Sequence, residues 1–327
     1  MLDRILVTLD GSSVAECALP HAMSAALAFK GGLRLVRVLS PTGEGRIPDP
    51  VDCRFRRAEA AAYLTRIAGR VRETGIPCET VVTEGDPAEA ISEAAGQWPA
   101  DLVVMSTHGS GARRRSPSGS IAAHVAAALD RSILMVPASE AGIALFAAIR
   151  YRRILVPLDC SPRSNAVVQM ATALGHPCEA ELVLAHVVPV PDLPQPDLLL
   201  DSTDLEIRDR IVASSRRIAE QALDDLARVP RAHSVRTRVR LEPSTRVAHA
   251  LFRLVREETP DLVIMSARGH GHADDGPADW PCGSVSARIL AYGTVPRLIL
   301  KEDGSRRRPP TGELARDQVP GRRPFHG

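Results

Sequence analysis

An internal duplication constrains this chain more than any other feature. Arg4-Ile-Leu-Val-Thr-Leu-Asp10 returns as Arg153-Ile-Leu-Val-Pro-Leu-Asp159, 149 residues later. Asp101-Leu-Val-Val-Met-Ser106 returns as Asp261-Leu-Val-Ile-Met-Ser266 at an offset of 160, and Gly119-Ser120 as Gly283-Ser284 at an offset of 164. Three landmarks in one order define a repeated domain, and the growing offset places insertions of 11 and then 4 residues in the second copy. The 327 residues therefore divide into domains over 1–140 and 150–302 and an Arg/Pro-rich tail over 303–327. The tail carries too little apolar surface to offset the entropy of ordering it, so it is expected to be disordered.

Within each copy the pattern alternates between short apolar runs and helical periodicity. Leu102 to Met105 is apolar without a break, as in a strand covered on both faces of a parallel sheet. In the first copy, Ser13-Val-Ala-Glu16 reads as a capping box opening an Ala-rich helix to about residue 29, with Pro20 kinking it and Gly31-Gly32 ending it. Strands are expected over 33–39, 78–84 and 133–136, and helices over 55–73, from Asp86 onward, and over 119–130. The second copy follows the same order. Its longest helix, over 204–228, is expected to pack through Ile207, Ile211, Ile218, Ala222 and Leu226. Strict alternation demands crossover connections, so the fold class is α/β: two tandem doubly wound domains, each with a five-stranded parallel sheet.

Composition excludes several functions. A formal charge of +2 gives no field for nucleic acid or a membrane surface, and 3% aromatic residues leave no base-stacking platform. No apolar run reaches the length of a membrane span, and the first residues enter a strand without a signal-peptide pattern, so a cytoplasmic location is expected. The six cysteines form no C-x-x-C pair and read as reduced thiols; Cys160 follows Asp159 at a strand end with no basic partner nearby in sequence.

The segment from 101 to 120 carries the clearest chemistry. A buried strand stops at Ser106, glycines punctuate a polar loop, and a helix begins at Gly119-Ser120, where unpaired N–H groups and the helix dipole suit an anion. A plain strand-to-helix connection would look the same. Asp10, however, ends a strand at the same carboxyl edge of the sheet, where doubly wound folds bind ligands, and this favours an anion site. The loop is neither a P-loop nor a G-x-G-x-x-G fingerprint, and no hydrolase elbow or catalytic triad is present.

These residues resemble the universal stress protein family. The resemblance rests on Gly109, nine residues, then Gly119-Ser120, after a strand ending Met105-Ser106 and preceded by Gly85-Asp86-Pro87; it covers residues 2 to 301, in a tandem two-domain form. It implies a Rossmann-like, adenine nucleotide alpha hydrolase-like fold. ATP-binding members have G-x-x-G, nine residues, then G-[ST]; here Ser106 stands at the first glycine. The resemblance then implies ATP with Mg2+ or a similar divalent cation, Asp10 and the backbone near Val38 against adenine, Ser106 by the ribose, and Gly109, Gly119 and Ser120 around the phosphates. His108, beside Gly109, reads equally as a cap on the strand end, and Arg113, Arg114 and Arg115 read either as neutralising phosphate or as a solvated loop.

In the second copy 13 residues separate Gly269 from Gly283, and Asp274, Asp275 and Asp279 fall among them, so this site is expected to bind nucleotide poorly. His270, His272, Asp274 and Asp275 match no standard zinc spacing, and no metal site of the protein itself is expected. Single-domain members pair through the fifth strand, which implies an intramolecular pseudo-dimer through residues 133–136 and 298–300, with a homodimer left open. The functional expectation is a nucleotide-binding stress-response protein without catalytic residues, slow ATP hydrolysis being left open. The alternative is a module of the same family that binds protein partners instead of nucleotide.

Overall fold

The computed structural model describes residues 2–40, 49–108, 120–138, 146–191, 202–269 and 282–301. The first copy runs β1 (Arg4–Thr8), α1 (Leu19–Phe29), β2 (Gly32–Leu39), α2 (Pro50–Glu73), β3 (Cys78–Glu84), α3 (Pro87–Gln97), β4 (Leu102–Ser106), α4 (Ser120–Ala128) and β5 (Ser132–Val136). The second runs β6 (Arg153–Pro157), α5 (Ser164–Gly175), β7 (Glu181–Pro189), α6 (Ser202–Ala232), β8 (Thr237–Ser244), α7 (Val247–Glu258), β9 (Leu262–Ser266), α8 (Ser284–Tyr292) and β10 (Arg297–Leu300). Both copies are doubly wound, as the alternation requires.

The strands form one ten-stranded sheet in the order β3-β2-β1-β4-β5-β10-β9-β6-β7-β8. Within each copy every pairing is parallel; the join between copies is antiparallel, with Ile133 opposite Ile299, Leu134 opposite Leu298 and Met135 opposite Arg297. This is the expected pseudo-dimer contact. It covers the β5 and β10 edges, which would otherwise present unpaired backbone groups.

Successive strand residues enter opposite cores, which explains the unbroken apolar runs. Ile5, Val7, Leu102 and Val104 face α1, α2, α5 and α6, while Leu6, Val103 and Met105 face α3, α4, α7 and α8. At the amino edge, Asp101 accepts the N–H groups of Asp3 and Arg4 at 3.1 and 3.0 Å, and Asp261 repeats this with Arg152 and Arg153 at 2.6 and 3.0 Å. A conserved landmark of the repeat is thus a staple holding the start of the first strand to the start of the fourth.

Three local readings are corrected by the fold. Residues Ala15–Ala18 form a 3-10 turn without a side-chain cap, and α1 starts only at Leu19, so Pro20 lies in its first turn, where no N–H is lost, and does not kink it. The helix ends on Lys30 in the left-handed region at φ 52°; Gly31 is needed because a Cβ there would lie 2.3 Å from the Asp3 carbonyl oxygen. In α6 the buried residues are Ala219, Leu223, Leu226 and Ala227, whereas Ile207, Ile211 and Ile218 are 48–68% exposed. The 31-residue helix is longer than the strands beneath it, and only its carboxyl half lies on the sheet. Among the described residues no helix is long and apolar enough to cross a membrane.

Candidate functional site

The sheet order sets the site. From β1 the chain moves outward through β2 and β3, then returns to place β4 on the other side of β1, so the order reverses between β1 and β4. Ile5, Leu6 and Val7 pair with Leu102, Val103 and Val104, which brings the carboxyl ends of the two strands side by side. Helices cannot cover this edge on both sides of the reversal, so a crevice opens there. Asp10 and Ser106 lie at its rim.

Asp10 follows β1 and is exposed. Its Oδ1 accepts the Ser12 N–H at 2.9 Å and the Ser12 hydroxyl at 2.6 Å, while Ser12 Oγ accepts the Ala15 N–H at 3.2 Å. Ser12, not Ser13, therefore opens the turn that leads into α1. Gly11, between Asp10 and Ser12, takes φ +93°, a conformation open to glycine and costly for other residues. Val38 lies half-buried near the end of β2 and packs on the α3/α4 core. Ser106 closes β4, and its hydroxyl donates to the His108 carbonyl at 2.5 Å. The Thr107 hydroxyl meets His108 Nδ1 at 3.0 Å and accepts the Ala138 N–H at 3.0 Å. Ser106 and His108 thus shape the start of the loop through its own backbone.

Ser120 is the first residue of α4. Gly109, Gly119 and Arg113, Arg114 and Arg115 lie outside the described residues, as do His270, His272, Asp274, Asp275 and Asp279. Among the described residues no group of three or more His, Cys, Asp or Glu is placed to hold a metal ion.

The family model of the universal stress protein family matches residues 1–137 and 150–301. The chain belongs to this family. A universal stress protein of Thermus aquaticus is 34% identical over 141 residues, 42% of this chain and 99% of that protein. Among solved structures, a universal stress protein from Archaeoglobus fulgidus covers 91% of this chain and 96% of its own at TM-score 0.60 and 18% identity. A putative universal stress protein from Pseudomonas aeruginosa covers 92% and 94% at TM-score 0.62 and 15% identity. At these identities the two structures show a shared fold, across both copies.

The second universal stress protein copy builds the same crevice differently. Asp159 Oδ1 accepts the Ser161 N–H at 3.0 Å and the Ser164 hydroxyl at 3.2 Å. A Cβ on Gly269 would lie only 2.6 Å from Asp159 Oδ2, so the loop backbone rests close on this carboxylate. Arg163 donates to the Gly269 carbonyl at 3.3 Å, and the Gly283 N–H at the start of α8 is already bound to the Ala267 carbonyl at 2.7 Å. These contacts engage the Gly269 carbonyl and the Gly283 N–H within the protein.

Cys160 does have a basic neighbour: its Sγ lies 3.7 Å from His186 Nδ1. Sequence distance hid the pair, which β6–β7 pairing brings together. The same Nδ1 donates to the Leu158 carbonyl at 2.8 Å, and burial, aided by Asp159, pushes the Cys160 thiol up from its ordinary value. The pair is therefore no activated thiolate. The register that matches β6–β7 to β1–β2 sets His186 at the position of Arg37 and Cys160 at that of Gly11, and this comparison of the copies is the signal by which Arg37 is found.

Proposed function

We propose that the first copy binds an adenine nucleotide, ATP with a divalent cation on its phosphates, and that occupancy of this site sets the protein's conformation or partner in a stress response. The observation that carries the reading is the side-by-side placement of β1 and β4, whose carboxyl ends lead to Asp10 and Ser106, at the reversal of strand order and ahead of a helix that begins at Ser120. The donor set fits: the first turn of α4 has backbone N–H groups without intrahelical partners, suited to phosphate oxygens, and Asp10 offers a carboxylate at the opposite side of the crevice. The second copy is read as degenerate, because Gly269 and Arg163 close on Asp159's side of the crevice.

Binding, not turnover, is the proposed activity. Asp10 Oδ1 is engaged by two donors from Ser12, the posture of a turn-forming residue and not of a general base. Steady ATP turnover by the wild type that disappears in Asp10→Ala would overturn this. Calorimetry with Mg-ATP tests the site itself: wild type and Gly283→Val are expected to bind one nucleotide and Gly119→Val none. Absence of heat from the wild type, or equal heat from Gly119→Val, would instead support a protein-binding module, the reading favoured by the Ser106 hydroxyl being turned onto its own loop.

A further inference from the structure

Arg37 lies on β2 with its guanidinium directly over Gly11. A Cβ built on Gly11 would stand 3.0 Å from Cζ, 3.0 Å from Nη2 and 3.1 Å from Nη1. Near-equal distances to three atoms of a planar group mean that Gly11 faces the plane and not its edge. Tyr63 of α2 also contacts this group, with Arg37 Cζ 5.4 Å from the ring centroid, a cation–π distance. Tyr63 is in turn fixed: its hydroxyl donates at 2.8 Å to Glu16, which is buried, and Arg66 lies 5.5 Å from the same ring.

Among the described residues the guanidinium is thus positioned by stacking. Among the described residues no carboxylate or carbonyl accepts a hydrogen bond from it, although it carries five in-plane donors. This contrasts with the other strand-borne arginines: Arg34 pairs with Glu79, Arg153 with Glu181, and Arg238 with Glu258. Packing has shielded a face of Arg37, one residue before Val38 and over the glycine that follows Asp10, and among the described residues its donor edge is unengaged. At the equivalent point of the second copy, His186 spends its Nδ1 proton on the Leu158 carbonyl, so no open donor remains at that nitrogen.

We infer that Arg37 is a ligand-contacting residue of the first-copy site, donating from its guanidinium edge to acceptor atoms at the base and ribose end of the bound nucleotide. The inference rests on the nucleotide reading above and adds to it a charged contact that the second copy, with His186 at this position, does not offer. A side chain at position 11 would strain the backbone at φ +93° and make the guanidinium give by a few tenths of an ångström.

Dissociation constants for Mg-ATP by calorimetry, and for AMP by displacement of ATP, test this on wild type, Arg37→His and Arg37→Lys. Loss of a charge-assisted donor predicts weakening by about ten- to a hundred-fold in Arg37→His, equal for ATP and AMP, with an unchanged melting temperature without ligand. Arg37→Lys should fall between the two, since it keeps the charge and loses the stacked fork. Unchanged affinity in Arg37→His overturns the inference while leaving the nucleotide site standing. Weakening of ATP with AMP unchanged would place the contact at the phosphate tail and overturn it as well. A wild type that binds no nucleotide removes the reading on which it rests.

Discussion

His21 of α1 and Tyr151, at the entrance to β6, meet at 2.9 Å between imidazole Nδ1 and phenol oxygen, and so tie the two copies together inside the protein. Both are buried, and Ser24, one turn along α1, donates to the Ile149 carbonyl at 2.8 Å beside them. The two domains are thus joined through a polar seam under α1 as well as through the β5–β10 strand pair.

This seam should titrate. Burial lowers His21 from 6.5 to about 4, against a weaker opposing pull from Asp261, so the folded state holds the neutral ring. The unfolded chain takes up the proton first as pH falls, and stability is therefore full above 6.5 and declines from there down to about 4. The decline attributable to this group is on the order of 3 kcal/mol. Urea unfolding across that range should show His21→Leu lacking this limb and Tyr151→Phe retaining it; parallel curves for wild type and His21→Leu would refute the assignment.

On α6, exposure and not hydrophobicity decides the cost of substitution. Ile218 is 68% exposed and Leu223 fully buried. Ile218→Ser is expected to change stability by less than about 0.5 kcal/mol, and Leu223→Ala to cost about 2–5 kcal/mol. Equilibrium denaturation of the two variants separates the outcomes, and a large loss in Ile218→Ser would mean that the amino half of α6 is packed.

Two glycines of the second-copy loop differ in what they tolerate. A Cβ at Gly269 meets Asp159 Oδ2 at 2.6 Å, whereas at Gly283 the nearest atom, the Ala267 carbonyl oxygen, is 3.6 Å away. Gly269→Ala should cost about 1–3 kcal/mol through the forced shift. Gly283→Ala should cost at most about 1 kcal/mol, from the poorer N-cap alone. The order of the two melting temperatures checks this.

Cations cap helix ends on both sides of the join. Arg297, fully buried, donates from Nε and Nη2 to the Leu290 carbonyl at 2.8 and 2.5 Å, closing the end of α8, and burial lowers its pKa to about 10. Lys301 reaches across the copies to donate to the Leu129 carbonyl at the end of α4. Arg297→Met leaves the carbonyls of α8 without this charged donor and is expected to destabilise by about 1–3 kcal/mol. Lys301→Met should do so by about 1 kcal/mol. Thermal unfolding in which neither variant differs from wild type would remove the caps from the account of how the copies are held.

The duplication, the β–α alternation and the unbroken apolar runs were enough to specify two doubly wound domains, because parallel strands buried on both faces leave no polar alternation and need crossover helices. That Asp10 and Ser106 stand at the ends of neighbouring strands was legible in the sequence, because each closes an unbroken apolar run; Val38 entered only through the family resemblance. Other features lay beyond the sequence. Whether Ile207, Ile211 and Ile218 are covered depends on where α6 runs past the sheet, a matter of relative lengths in space. The contacts of Cys160 with His186, of Asp159 with Gly269 and of Arg37 with Gly11 arise from strand register and loop approach, which join residues 26 to 110 positions apart. Sequence periodicity determined which elements form and in what order. Tertiary packing decided which residues meet across the sheet edge, because strand register and loop approach, not sequence distance, set the neighbours of a side chain.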